Sequence, residues 1–548
     1  MPITKLSSIG SILRASAIGK LEVIFSFLFA VAIVSGYLLS TYDTIDVVRM
    51  SGWLVLVYVF GFMVIWGLIL LSFSAVKQWT LRVSYTARVP FLRNLSDKKL
   101  WLLISLAMFL CYLPVIILCI SVLTPDSWSS VRQVIGDVPL SNAHPIIFTG
   151  FVSIFIHIGL FFGSITLGTL LFSLVQSALL AMIFSVVIVW MRREGIGRNA
   201  AIATFIFYAI LPVNAFAGIV MWKDILFSGF GLLLLILLRQ LYIQKGAFFT
   251  KKNVACFVVF AFLFCTWRNN GLYAYLAFLV LAMAIDRRTL FHKKYLALLL
   301  SPIVMFVGYS VVVSLVATPA SSTVMMTVPL QQIARTVKYH GSSLSEEDRA
   351  SINEILAYDK LGTVYNPNLS DPVLYTFKQE TYKSNEGKYI KLWLKLFLEH
   401  KKTYIAATLY NTYGYFYPQF VSTSPTDTVM DNASHLNALK DYTDEPYNHG
   451  SKLAVVRYQE LLTSSLPFLR SIGFYTLVMI FGVYVAIIKK RRELIWVFVI
   501  LSCLLVTTLL GPVNGEFRYL YLFVVATPFI VGSAYSSFNL GKSRKKHV

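Results

Sequence analysis

Residues 146–162 read IIFTGFVSIFIHIGLFF, and the placement of this run decides the topology of everything after it. Only Gly163 and Ser164 separate it from a second apolar run at 165–190. If both runs crossed a membrane, Arg192 and Arg193 would move outside and every later loop would invert. The run is therefore read as a juxtamembrane helix on the outer face, and 165–190 as the crossing.

Working outward, long apolar runs recur along the chain at 21–41, 50–74, 100–123, 165–190, 200–220, 224–243, 253–268, 271–286, 296–317, 470–488, 494–511 and 518–538. Each is a candidate span, although several fall short of the ~20 residues that cross ~30 Å of hydrocarbon. The composition agrees. Of 548 residues, 57% are apolar and 14% charged. The mean hydropathy is +0.69. A soluble surface needs nearer a quarter of its residues charged. An ordinary soluble enzyme, a disordered chain and a disulfide scaffold are excluded. The expected fold is an all-α polytopic membrane protein of about 12 transmembrane helices.

The net charge of +22 is explained by topology. Seven inter-span or terminal segments each hold three to six Lys or Arg, from Lys5, Arg14 and Lys20 to Lys542, Arg544, Lys545 and Lys546. The alternate short turns hold single cations: Arg49, Arg132, Lys223, Arg268 and Arg518. Cationic loops stay in the cytoplasm. The expectation is a multi-pass plasma-membrane protein with both termini cytoplasmic. Its basic clusters then meet anionic lipid, and no nucleic-acid partner is expected. The N-terminal apolar stretch is too long for a signal-peptide core and is read as a retained span. The five cysteines all lie in apolar runs and form no metal or disulfide pattern.

Four parts follow: 1–99, a two-span addition with a basic loop; 100–317, a membrane core with an outer loop at 124–164; 318–468, a small, mostly helical extracytoplasmic domain; and 469–548, three spans and a basic tail. In the outer domain, Ser345-Glu346-Glu347-Asp348 predicts a helix start running to about Tyr358. Lys388, Lys391, Lys395, Glu399 and Lys402 share one helical face, opposite Ile390, Trp393, Leu394 and Phe397. That pattern reads either as an interfacial helix or as a helix packed on the membrane domain. Tyr410, Tyr413, Tyr415, Phe416 and Tyr417 read as a headgroup-level belt, with a carbohydrate-stacking platform as the other reading.

Charges beside hydrocarbon are costly and mark function. Four outer turns collect them: Asp126, Arg132, Asp137 and His144; Lys223 and Asp224; Arg268, Asn269 and Asn270; Glu516 and Arg518. Short turns hold charges against the bundle, so an outward pocket of cations and carboxylates is expected. Cations at a lipid boundary suit a phosphate headgroup. A nearby carboxylate suits a general base. A lipid-linked phospho-sugar would use both.

The pattern resembles the GT-C superfamily of polytopic glycosyltransferases, which use polyprenyl- or dolichyl-phosphate sugars outside a membrane. The resemblance rests on an acidic residue in the first large outer loop, a His-Pro before a juxtamembrane helix, and a Lys-Asp at an outer turn. The chain also looks like an uncharacterised bacterial branch of that group. Stretches similar to DVPLSNAHPIIFTG, WKDILFSG, WRNNGLYA, VPLQQIAR, SDPV and FRYLY occur there in this order, over roughly 120–530 here. The resemblance implies Asp137 as the catalytic carboxylate, with Asp126 its nearest competitor, set aside because it abuts a span end. It implies Lys223, Arg268, Arg518 and Arg335 as holders of the lipid phosphate. His144, Asp224, Asn269, Asn270 and Glu516 would line the sugar or acceptor pocket. No cofactor is expected, and no divalent metal.

The function expected is transfer, with inversion, from a polyprenyl-phosphate sugar to a glycan, teichoic acid or lipid acceptor of the cell envelope. A transporter or flippase of a lipid-linked glycan is the alternative. A non-catalytic envelope scaffold is a third.

Overall fold

The computed structural model describes residues 18–42, 52–82, 92, 94–120, 122–319, 322–422 and 466–536. The basic termini (apart from Lys20), Arg49, the cations at 88 and 93, and the 423–465 part of the outer domain lie outside them. The described chain is helical; its only β contacts are three isolated bridges.

Among the described residues, eight helices are long and apolar enough to cross a membrane, and this is a multi-pass membrane protein. They include Lys20–Thr41, Val55–Leu81, Asp97–Leu118, Ile165–Arg193 and Lys293–Val316. Helices also form at 251–266, 269–285 and 472–488, each under 18 residues. The expected span at 200–220 is not continuous. It is Arg198–Ala209 followed by Pro212–Ile219, bent by 45°. The cause is Pro212, which lacks an amide and forces its predecessor out of the helical region.

Helix Ile146–Phe161 forms as expected and doubles back on Ile165–Arg193. Glycines allow the contact: a Cβ on Gly159 would sit 2.4 Å from the Ser164 carbonyl oxygen. The hairpin joining Lys251–Thr266 to Asn269–Ile285 is equally tight. A Cβ on Gly271 would lie 1.9 Å from the Phe264 carbonyl oxygen. Only glycine closes this turn, and the turn carries Arg268.

The broken span is stabilised by polar side chains of the helix beside it. Gln176, fully buried on Ile165–Arg193, donates to the carbonyls of Ala217 (3.0 Å), Gly218 (3.2 Å) and Val220 (2.7 Å). Ser173 donates to Ile219 at 3.2 Å. Carbonyls freed by a helix break inside a membrane need such partners. This contact fixes the end of the break, and so the turn leading to Lys223.

The 322–422 segment has its own buried core, including Leu330, Ile333, Ile352, Leu361, Leu396 and Tyr404. Ser345 caps Glu346–Ile355 as expected, its Oγ accepting from the Asp348 amide at 3.1 Å. The helix ends at Ile355 rather than near Tyr358. The amphipathic stretch packs on this segment's own helices. Lys388 pairs with Glu354 (2.6 Å) and Lys395 with Asp348 (2.7 Å). The helix stops at Glu399, so Lys402 belongs to the next helix, Lys401–Tyr410. The tyrosine cluster is neither belt nor platform: Tyr410, Tyr413, Tyr415 and Tyr417 are all buried. Tyr415 donates to Val513 at 2.9 Å and Tyr410 to the Tyr42 carbonyl. These rings are the cement between this segment, the first span and the 511–515 turn.

Candidate functional site

Asp126 stands in the first turn of Pro125–Val134. Thr124 caps this helix and Pro125 opens it. Thr124 Oγ1 also accepts from the Trp222 indole at 2.8 Å, and Ser127 donates to the Met221 carbonyl at 3.1 Å. The start of this helix is thereby bolted to the 220–223 turn. Lys223 and Asp224 open the Lys223–Gln244 helix, where a carboxylate suits the helix dipole.

Arg518 sits on the 310 turn Phe517–Leu520, which Gly515 (φ 58°) and Asn514 set up. Asn514 accepts from the Gly414 amide at 2.8 Å and donates to Asn368 at 2.8 Å. The Ser370 amide and hydroxyl both donate to the Pro512 carbonyl, at 2.8 and 2.7 Å. The 366–371 stretch is thus stitched to the turn that carries Arg518, and Asp371 arrives with it.

These turns converge. Arg518 reaches Asp126 at 2.6 Å, Glu516 at 3.4 Å and Asp224 at 3.8 Å. Arg268 pairs with Asp224 at 2.9 Å and donates to the Tyr519 carbonyl at 2.7 Å. Its guanidinium lies over the Tyr519 ring at 4.7 Å. Lys223 lies 3.7 Å from Asp126 and 3.1 Å from Nδ1 of His144. Arg268, Arg518, Asp224 and Glu516 are buried. The Asp126 side chain keeps 26% exposure and Lys223 18%, so these two are more open to solvent than the buried four. Glu516 is further held by Ser422, which donates at 3.0 Å.

Electrostatics separate two carboxylates. Burial alone would raise the Asp126 pKa, but Arg518, Lys223 and His144 override it and hold the carboxyl well below the usual range. Burial, then the charge of Asp126, pushes Asp371 above that range, against the pull of Arg518. The charge of Lys223 and burial bring His144 down to about 4. His144 is therefore neutral at pH 7. Its Nδ1 accepts from Lys223 and its Nε2 bears the proton.

Of the residues singled out in the sequence, Lys223, Arg268, Arg518, His144, Asp224 and Glu516 come together. Asn269 stands at the rim, its amide 3.5 Å from the Asn142 carbonyl, with Asn270 half-buried beside it. Asp137 is placed elsewhere: it follows Gly136 (φ 79°) and folds back onto Arg132, a half-exposed pair. Arg335 is also elsewhere, buried between Tyr410 (4.6 Å) and Tyr339 (4.7 Å) and donating to Tyr365 at 3.1 Å. Asp126, which the sequence reading sets aside, stands inside the cluster, and Asp371, which that reading meets only within SDPV, feels its charge. Among the described residues no group of three or more His, Cys, Asp or Glu is arranged to hold a metal ion.

Fold and cluster together define a polytopic membrane protein with a buried, nearly neutral charge network at one end of its bundle. The chain belongs to the family of unknown function DUF6020, which matches residues 135–545. No curated protein and no solved structure matches it.

Proposed function

We propose that the chain is a membrane glycosyltransferase. It takes a sugar from a polyprenyl-phosphate-linked donor and passes it to a cell-envelope acceptor on the outer side, with inversion. The observation that supports this reading is the geometry around Asp126, whose carboxylate lies 2.6 Å from Arg518 and 3.7 Å from Lys223, itself 3.1 Å from His144, with Asp371 pushed above the usual carboxyl range by burial and by the charge of Asp126. Carboxyl groups whose surroundings push their proton affinities apart are how acid–base roles are assigned. The resemblance to GT-C enzymes points the same way.

The base role moves from Asp137 to Asp371, because a base works best with a proton affinity near the operating pH. Asp126 stays ionised and holds Lys223 and Arg518 in place. An acceptor hydroxyl oxygen attacks the anomeric carbon and gives its proton to Asp371. The bond from that carbon to the phosphate oxygen breaks, and the electron pair leaves with the phosphate. Lys223 and the Nε2–H of His144 meet the leaving charge. Arg268 and Arg518 are engaged with carboxylates, so they frame the pocket rather than grip the phosphate.

The test is transfer by the purified full chain, given polyprenyl-phosphate sugar and envelope acceptor. Asp371→Asn lowers turnover by roughly 10²–10⁴-fold, the usual worth of a general base. Asp137→Asn stays within a few-fold of wild type. Full activity in both Asp371→Asn and Asp126→Asn overturns the proposal.

One observation favours the flippase reading. The helix broken at Ile210-Leu211 ends beside Lys223, and transporters build sites on discontinuous helices. Headgroup translocation in vesicles with no covalent product selects that reading.

A further inference from the structure

The helices that carry the charge cluster end, at the far side of the bundle, in an open recess of about 730 Å³. Lys223–Gln244 has 22 residues, or about 33 Å at 1.5 Å each, which matches the ~30 Å hydrocarbon core. The cluster and the recess therefore belong to opposite membrane faces. The charge bias of the loops puts the recess in the cytoplasm.

The recess is built where three elements meet: the 310 turn Lys245–Phe248, the short helix Arg287–Leu290, and the start of Lys293–Val316. Arg287, Arg288, Lys293 and Lys294 line it. All four are exposed, and none has an ion pair among the described residues. The nearest carboxylate in sequence, Asp286, is turned to its own chain and accepts from the Thr289 amide at 3.4 Å. The 24-residue helix Lys293–Val316 begins here with no side-chain cap, so the positive end of its dipole adds to the four cations.

The walls between the cations are apolar. Phe249 and Tyr295 meet edge to face at 5.0 Å, and Phe291 is 61% exposed. Leu281 and Ile285, one helical turn apart and both exposed, run from the recess along the bundle surface. A soluble anion has no use for that track, whereas an acyl chain does.

We propose that this recess binds the phosphate headgroup of an anionic membrane lipid, with its acyl chains lying along Leu281, Ile285 and Phe291. The four cations hold the phosphate. The inference is independent of the reaction assigned above.

The experiment titrates the purified full chain in detergent with phosphatidylglycerol and with phosphatidylcholine, counting bound lipids by native mass spectrometry. Wild type prefers phosphatidylglycerol. The pairs Arg287→Gln/Arg288→Gln and Lys293→Gln/Lys294→Gln each weaken that binding about 25-fold, at roughly fivefold per basic residue. Their unfolding midpoints, measured alongside, stay at the wild-type value. The control pair Lys98→Gln/Lys99→Gln, exposed at the same end of the bundle, binds as wild type does. Unchanged binding in the recess variants, or equal loss in the control, overturns the proposal. Inorganic phosphate that displaces the lipid at the same concentration as unlabelled phosphatidylglycerol does, with no help from acyl chains, makes this a soluble-anion site and also overturns it.

Discussion

The two ends of the Lys223–Gln244 helix carry cations in opposite states. At its start, Lys223, Arg268 and Arg518 each face a carboxylate within 4 Å, and both arginines are nearly out of solvent. Beyond its end, Arg287, Arg288, Lys293 and Lys294 stand exposed with no carboxylate partner among the described residues. The two arginines of the first set are part of the folded structure, because a buried guanidinium must be matched by the chain itself. The second set costs nothing to leave unmatched in water, so it is available to something outside the chain. Pairing, rather than the number of cations, separates a charge that holds the protein together from a charge that recruits.

That contrast is broken most directly by removing one arginine from each end. Arg268→Met strips Asp224 of its 2.9 Å partner while leaving the carboxylate buried. Losing half of such a pair costs about 3–5 kcal/mol. Arg288→Met, on the surface, stays within about 0.5 kcal/mol of wild type. Thermal or denaturant unfolding of the purified protein in detergent reads both. An equal loss at Arg288 shows that the recess, too, is folding network.

A smaller effect sharpens how the site end is built. Gln176→Leu keeps the volume and deletes the donor shared by three carbonyls at the helix break. Leaving buried acceptors unmade costs about 1–3 kcal/mol. Unfolding measured as above shows this loss, and Gln176→Glu, which has acceptors and no amide donor, does not recover it. A silent Gln176→Leu means that the break is satisfied by other means.

The sequence made the helices legible, since apolar runs bounded by charge are unmistakable. Most of the cluster was legible too. Lys223, Arg268 and Arg518 sit on turns too short to carry them away from the bundle. Asp126 and Asp137 are set apart by local geometry. Closeness to a span end counted against Asp126, yet Thr124 and Pro125 begin a helix there and keep its second residue against the 220–223 turn. Asp137 had a cation five residues back, and Gly136 lets the chain fold onto it. Asp371 was out of reach. Its place depends on Ser370 meeting Pro512, 142 residues away, and no local pattern encodes that contact. The kink before Pro212 was readable from the proline alone and was passed over because the run is apolar throughout.

The smallest expected effect concerns the sign of pH dependence at the two carboxylates. Burial first, and the charge of Asp126 second, make Asp371 bind its proton more tightly in the folded chain than in the unfolded one. Its contribution to stability is therefore fully present below the unfolded carboxyl range, near ~3.9. It is lost as pH rises through the raised folded value. At neutral pH the ionised Asp371 is a liability, and Asp371→Asn raises the unfolding midpoint even as it removes activity. That advantage shrinks as the pH is lowered toward about 4. Asp126 has the opposite sign. Arg518, Lys223 and His144 outweigh its burial, so its contribution is present above the unfolded value and is lost only as pH falls through the depressed folded one. Asp126→Asn accordingly lowers the midpoint at neutral pH. Unfolding scans of both variants between about pH 4 and 8 read the two signs together. If Asp371→Asn is instead destabilised at neutral pH, as Asp126→Asn is, then Asp371 is one more member of the paired network. It then loses its claim to the acceptor's proton.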